Sequence, residues 1–494
     1  MNDSPSTDSS RGRGPLLIAA LGGAAFWVLV LVWQQGGIVG GGTPAAAHGP
    51  EGVATMDSGP VTLDTLDEIY RGDRAVADAL FDKVMAQWDP AFTAPLLELD
   101  HIVGAPRALR IRLMTRMAEA WGLNVDGSAR DQREALQQAL WAEPFNPPAG
   151  YGSWKARLYQ RIDPRFAAYF DDFTDEATIR LDEVQWGGVR RDGIPPLKDP
   201  ETVAVGHVDA GYLGASDVVF GVVVNGEARA YPKRILAWHE MVKDQLGGQS
   251  INGVYCTLCG SMIVYDTLID GEHYELGTSG FLYRSNKLMY DHATESMWST
   301  ISGEPVIGPL VGKGLKLTPM TVVTTTWERW KQLHPETTVL TLDTGHSRDY
   351  GEGVAYRSYF ATDQLMFRVP GADKRLKNKA SVLALRFGAE DAGPAAISSD
   401  FLRATPVYAG THGGQAYVVL TDRSGAHRIY DPQGVRFSGY DGDRNATSED
   451  GGAWTVTEEA LVGPDGKTLS RLPSHSAFWF GWHAAHPDTQ LITR

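Results

Sequence analysis

Cys256-Thr257-Leu258-Cys259-Gly260-Ser261-Met262-Ile263-Val264-Tyr265-Asp266 decides the architecture, because a degenerate copy returns as Thr421-Asp422-Arg423-Ser424-Gly425-Ala426-His427-Arg428-Ile429-Tyr430-Asp431. The first copy ends Val-Tyr-Asp and the second Ile-Tyr-Asp. Other signals recur around them in the same order. Gly247-Gly248-Gln249 answers to Gly413-Gly414-Gln415, Trp298 to Trp454, and Gly308-Pro309 to Gly463-Pro464. Trp327-Glu328-Arg329-Trp330, closed by His334-Pro335, answers to Trp479-Phe480-Gly481-Trp482, closed by His486-Pro487. Ordered self-similarity at this spacing predicts two homologous β-rich units in tandem.

The intervening pattern is one of short β-branched and aromatic runs bounded by Gly and Asn. Val218 to Val224 before Asn225-Gly226 predicts a hairpin. Strands are expected at Ile251–Tyr255, Ser261–Tyr265 and Leu288–Tyr290, with one helix over Pro232–Gln245. Upstream, Leu66, Ile69, Tyr70, Val76, Leu80 and Val84 recur at helical spacing, as do Leu109, Leu113, Met117 and Trp121; Arg130 to Trp141 adds a third such stretch. The fold class expected is mainly β (α+β): two homologous β-rich units in tandem, preceded by a small all-α domain and one N-terminal transmembrane helix. The expected boundaries are a cytoplasmic N-terminus at 1–14, the transmembrane helix at 15–34, a flexible tether at 35–60 and the helical domain at 61–185. The first β-rich unit follows at 186–345, a connector at 346–379 and the second unit at 380–494.

The transmembrane expectation rests on Pro15 to Trp33, PLLIAALGGAAFWVLVLVW, which carries no charge and at 1.5 Å per helical residue spans a hydrocarbon core. Arg11 and Arg13 precede it and the next basic residue is Arg71, so the positive-inside rule leaves the large C-terminal body outside the cytoplasm. A cleaved signal peptide ending near Ala45-Ala46-Ala47 is the alternative. The expected partner of this end is the membrane. A net charge of -15 argues against nucleic acid, whose phosphates call for clustered Lys and Arg.

Cys256 and Cys259 are the chain's two cysteines. Their counterparts in the second copy are Thr421 and Ser424, so the fold does not need the thiols and the pair reads as a site. Three chemistries compete: a metal site, a thiol–disulfide oxidoreductase and a structural disulfide. The metal reading leads, with copper before zinc, for redox chemistry or metal handling. Two sulfurs leave such an ion short of ligands. His239 is the nearest candidate in sequence, and Met289 and His292 are weaker ones; a thiolate, imidazole and thioether set is soft and favours copper. Were the protein an enzyme, Arg284 and Arg348 would clamp an anionic substrate and Asp349 would serve as a base. A non-enzymatic ligand-binding or assembly module is the remaining alternative.

The run Asp192-Gly193-Ile194-Pro195-Pro196, then Asn225-Gly226-Glu227-Ala228-Arg229-Ala230-Tyr231-Pro232, Trp238-His239-Glu240 and Tyr255-Cys256-Thr257-Leu258-Cys259-Gly260 resembles a bacterial and archaeal family of uncharacterised proteins, domain-of-unknown-function family three-one-seven-nine. The likeness continues through Ser279-Gly280, Ser285-Asn286, Met289-Tyr290-Asp291 and Ser347-Arg348-Asp349-Tyr350, covering roughly residues 190 to 494. Members usually read Tyr-Cys-Pro-Leu-Cys, where this chain has Thr257. The resemblance implies an exported or anchored β-rich domain with a site around the two cysteines, and brings no substrate with it.

Overall fold

The computed structural model describes residues 59–494, apart from 105, 125–126, 145 and 171–175. The expected transmembrane helix and cytoplasmic N-terminus, and the tether up to residue 58, lie outside the described residues. Among the described residues no helix is long and apolar enough to cross a membrane.

Helices occupy the N-terminal part: Leu63–Arg71, Arg74–Ala86, Thr93–Ile102, Arg107–Ala120, Ala129–Ala142 and Tyr151–Tyr159. Three of their starts are set by side-chain caps. Thr62 and Ser128 each form a capping box, and Asp73 accepts from the Val76 N–H. The apolar positions close a core through Leu66, Ile69, Phe81, Leu113, Met117 and Leu136. That core runs on into the β-rich body, because Tyr159, Phe166 and Phe170 surround Phe281 with ring centroids 4.8–5.1 Å away. The helical region is thus packed against the strand Leu276–Tyr283, to which Val184–Trp186 adds an edge.

Three five-stranded sheets make the first part of the β-rich body. One runs in the order Val323–Thr326, Val218–Val224, Glu227–Pro232, Thr338–Leu340, Thr202–Ala204, with a single parallel pairing between Glu227–Pro232 and Thr338–Leu340. Asn225 and Gly226 join its central hairpin with φ of 49° and 81°, the left-handed pair that a tight hairpin turn requires. A second sheet carries the meander Met241–Leu246, Gln249–Cys256, Ser261–Asp266. The helix expected over Pro232–Gln245 stops early: it spans Lys233–His239, Glu240 caps it in the left-handed region, and Met241–Leu246 is a strand. Pairing with Gln249–Cys256, which buries Met241, Val242, Asp244 and Leu246, outweighs the local helical pattern.

The C-terminal part contains a sheet ordered Ser474–Phe478, Ser381–Leu385, Ala395–Ser398, Gln490–Ile492, again with one parallel pairing, between its last two strands. Its meander is Val407–His412, Gln415–Thr421, His427–Tyr430. The Gly247-Gly248 turn (φ 55° and 79°) has its match in Gly413-Gly414 (54° and 77°). Indole contacts also recur: Trp330 Nε1 donates to Thr337 Oγ1 at 2.9 Å and Trp482 Nε1 to Thr489 Oγ1 at 2.8 Å. The Trp330 ring lies 4.0 Å from His334, and Trp482 lies 4.3 Å from His486.

Candidate functional site

Strand Gln249–Cys256 ends on Cys256, which pairs with Ser261 at the start of the next strand, and Thr257–Gly260 form the turn between them. The Cys259 N–H donates to the Cys256 carbonyl at 3.1 Å, closing the turn. Gly260 takes φ 59°, and a Cβ there would meet the Phe478 ring at 2.8 Å. The turn therefore brings both thiols to one point, with the sulfurs 2.7 Å apart and the residues 3% and 0% exposed.

The surroundings of the two sulfurs differ. Cys256 Sγ receives the backbone N–H groups of Lys287 and Cys259 as well as the Cys259 thiol contact. Burial alone would raise its pKa, but these hydrogen bonds bring the Cys256 thiol below its ordinary value. Cys259 faces the Ser285 carbonyl at 3.2 Å, and burial followed by the hydrogen bond with Cys256 pushes its thiol well up. One sulfur is set up to carry negative charge and the other to keep its proton.

A buried ion pair between Glu240 and Lys287 adjoins the thiols, and Tyr356 Oη donates to Glu240 at 3.4 Å. The phenols of Tyr255 and Tyr356 are held neutral, first by burial and then by the nearby thiol and carboxylate charges. Leu258, Leu282 and Tyr359 close over the sulfurs, and Tyr359 Oη donates to the Leu258 carbonyl at 2.8 Å. From the C-terminal part, Phe478 N–H donates to the Cys259 carbonyl at 2.7 Å, while Asn286 Nδ2 reaches the Gly481 carbonyl at 2.9 Å.

Backbone strain concentrates here. Among the described residues ten non-glycine residues have positive φ, and Glu240, Arg284, Ser285 and Tyr356 are four of them. Three buried polar atoms here also lack a hydrogen-bond partner: Thr257 Oγ1, Ser261 Oγ and Asn286 Oδ1. Strain and unmet hydrogen-bonding capacity together are characteristic of functional sites.

The residues expected to complete a metal site lie elsewhere. His239 is fully buried; its Nδ1–H donates to the Pro195 carbonyl at 2.9 Å, so Nε2 accepts from the Tyr350 hydroxyl at 2.6 Å. Burial lowers its pKa to about 4 and keeps it neutral. Met289 is a core residue whose sulfur faces Asn252 Nδ2 at 4.0 Å, and His292 lies over the Tyr290 ring at 4.9 Å. Among the described residues no three His, Cys, Asp or Glu side chains stand together as a metal-binding group, so Cys256, Cys259 and His239 are not united in one. Arg284 is engaged by Glu183 and by the Ala484 carbonyl. Arg348 is exposed and donates to the Ser347 carbonyl, and Asp349 accepts from the Gly351 N–H. Sequence reasoning missed Lys287, Tyr356 and Tyr359. Lys287 alone had a visible signal, a cation immediately before the apolar run Leu288–Tyr290.

A family model described as "Protein of unknown function (DUF3179)" matches residues 191–489. No curated protein and no solved structure matches the chain.

Proposed function

The chain belongs to this family, and we propose that its Cys256–Cys259 pair is a thiol–disulfide redox site, with Cys256 the attacking sulfur and Cys259 the resolving one. The observation that supports the reading best is the 2.7 Å contact between two sulfurs of opposite proton preference. The thiolate is the nucleophile in exchange, and a neighbour that holds its proton until needed completes the pair. Cys256 thiolate attacks one sulfur of a substrate disulfide, forming a mixed disulfide and releasing the other half as a thiolate. Cys259 then gives its proton to that thiolate and attacks Cys256 Sγ. The internal disulfide closes and the second half leaves as a thiolate, which takes a proton from water. The substrate gains two electrons and the Cys pair loses two.

In this proposal the second β-rich unit is a duplicated copy that has lost the thiols. Thr421 bonds to His427 Nδ1 at 3.0 Å and Ser424 to Asp422 at 2.6 Å, ordinary structural hydrogen bonds in the places of Cys256 and Cys259. The uncharged run at 15–34 would anchor the body outside the cytoplasm, where disulfide chemistry is sustained.

The test is single-turnover reduction of cystine by the fully reduced chain. Cys259→Ser is expected to stall as a mixed disulfide on Cys256, and Cys256→Ser to be inert. Stoichiometric copper or zinc that disappears in the Cys256→Ser, Cys259→Ser double variant, with no exchange in the metal-free chain, would overturn the redox reading in favour of a metal site.

A further inference from the structure

We infer that a cavity of about 230 Å³ between the helical region and the connector is the access chamber of the thiol pair. We infer further that it takes a small zwitterionic thiol or disulfide of amino-acid to dipeptide size. The route stands on geometry alone; the ligand's being a thiol or disulfide rests on the redox reading.

Two structural links join the cavity to the sulfurs. Phe367 lines the cavity and also packs against the cluster of Cys256, Leu258, Cys259, Leu282 and Tyr359. Gln185 lines the cavity as well, and its partner across the strand ladder is Leu282 of that same cluster. The sulfurs themselves are sealed, so a reagent reaches them only where a covering side chain gives way. Phe367 is the mobile choice, because it sits on an irregular segment rather than in a strand, half-buried, beside an exposed Met366. That segment is held by Arg368 with Glu134 at 2.7 Å, by Gln138 with the Val369 carbonyl at 3.1 Å and by Val369 packed with Phe480 and Ala484. Few contacts of this kind mean a low cost of local opening.

Size and charge define the occupant. The cavity is smaller than the roughly 300–1,000 Å³ of pockets for drug-sized ligands, which limits it to a molecule of a few residues at most. Both signs of charge line it. Arg133, Arg368, Glu134 and Asp182 line it together with Glu98, which accepts from Tyr151 Oη at 2.9 Å and Tyr159 Oη at 2.6 Å. Each of these charges already has a protein counter-charge, Arg133 with Asp100, Arg368 with Glu134, Glu98 with Lys155 and Asp182 with Arg180, so the lining is balanced and suits a ligand of no net charge, such as a zwitterion, over a polyanion.

The experiment measures the rate at which iodoacetamide alkylates the reduced full chain, a reaction that needs access to a thiol and no redox chemistry. Removing the gate in Phe367→Ala should speed alkylation about tenfold or more, and filling the chamber in Gln137→Trp should slow it by a similar factor, as expected for a gated local opening. Millimolar S-methylcysteine, which is zwitterionic and cannot exchange, should protect the unaltered chain and give no protection in Gln137→Trp. Thermal unfolding of both variants verifies that they are folded. Rates unchanged by either replacement would overturn the route, and absence of protection by S-methylcysteine would overturn the ligand class. If the cysteines fail to exchange with cystine while alkylation follows the cavity variants, the redox reading falls and the access route stands.

Discussion

Gly481 stands directly against Cys259: a Cβ on Gly481 would lie 3.0 Å from Cys259 Cβ and 3.3 Å from its sulfur. The counterpart of Gly481 in the repeated sequence motif, Arg329, reaches Asp422 and Asp443. Helix Trp479–Ala485 thus meets the Cys256–Cys259 turn and helix Trp327–Leu333 the Thr421–Ser424 turn, and the turn with thiols is met by a glycine. Gly481→Ala is expected to push on Cys259, a backbone-anchored neighbour with little room to move, and to cost about 1–3 kcal/mol as other overpacked cores do. Urea unfolding measures the cost. Thiol titration should show the Cys256 advantage over Cys259 reduced.

Glu240 and Lys287 are a buried pair with side chains 8% and 7% exposed. Removing one partner of such a pair leaves an uncompensated charge, so Lys287→Met should cost about 3–5 kcal/mol. The double change Glu240→Gln, Lys287→Met should recover a good part of that loss, and a double-mutant cycle measures the coupling.

Stability should fall as pH drops below neutrality. His427 is buried and His486 half-buried, and both are held at a pKa of about 4 by desolvation, while His475 is pushed well below its ordinary value by burial and by Arg386. Their unfolded pKa is about 6.5, so between about 6.5 and 4 the unfolded chain binds protons that the folded chain refuses. The contribution of each is complete above 6.5 and declines by up to about 1.4 kcal/mol per pH unit on the way down. Urea midpoints measured from pH 7.5 to 5 should decrease steadily. His427→Gln should flatten that slope.

The two Trp–Thr pairs should behave alike. Thr337→Val and Thr489→Val each leave a buried indole N–H without its acceptor, at an expected cost of about 1–3 kcal/mol apiece. Thermal melts of the two variants and their combination should show similar, additive losses.

Much of this was legible in the sequence because repeated signals mark turns and large side chains. The two Gly-Gly turns take matching φ angles, and the two Trp–His pairs stand at similar ring distances. The end of the helix at His239 was not legible, since Glu240 in the left-handed region leaves no composition signal and the strand after it is dictated by its neighbour. The thiols were found by spacing, but the groups around them were not. The N–H groups of Lys287, in the strand Asn286–Asp291, and of Cys259, in the turn itself, lower the Cys256 pKa, and Cys spacing alone carries no sign of them. His239 illustrates the opposite limit. Closeness in sequence suggested a ligand, while both ring nitrogens are committed to Pro195 and Tyr350. Phe367 and Tyr359 belong to a connector without periodicity, and only the fold brings them over Cys259.

The most direct test of the central claim is intact-mass analysis of the full chain, equilibrated in glutathione buffers of graded ratio and then trapped with an alkylating agent. The redox account predicts one reversible two-electron transition between a doubly alkylated and an unalkylated form, absent from Cys256→Ser and from Cys259→Ser. Thiols that stay fully alkylated across the whole range of buffers, or a pair that oxidises once and cannot be returned, would contradict it.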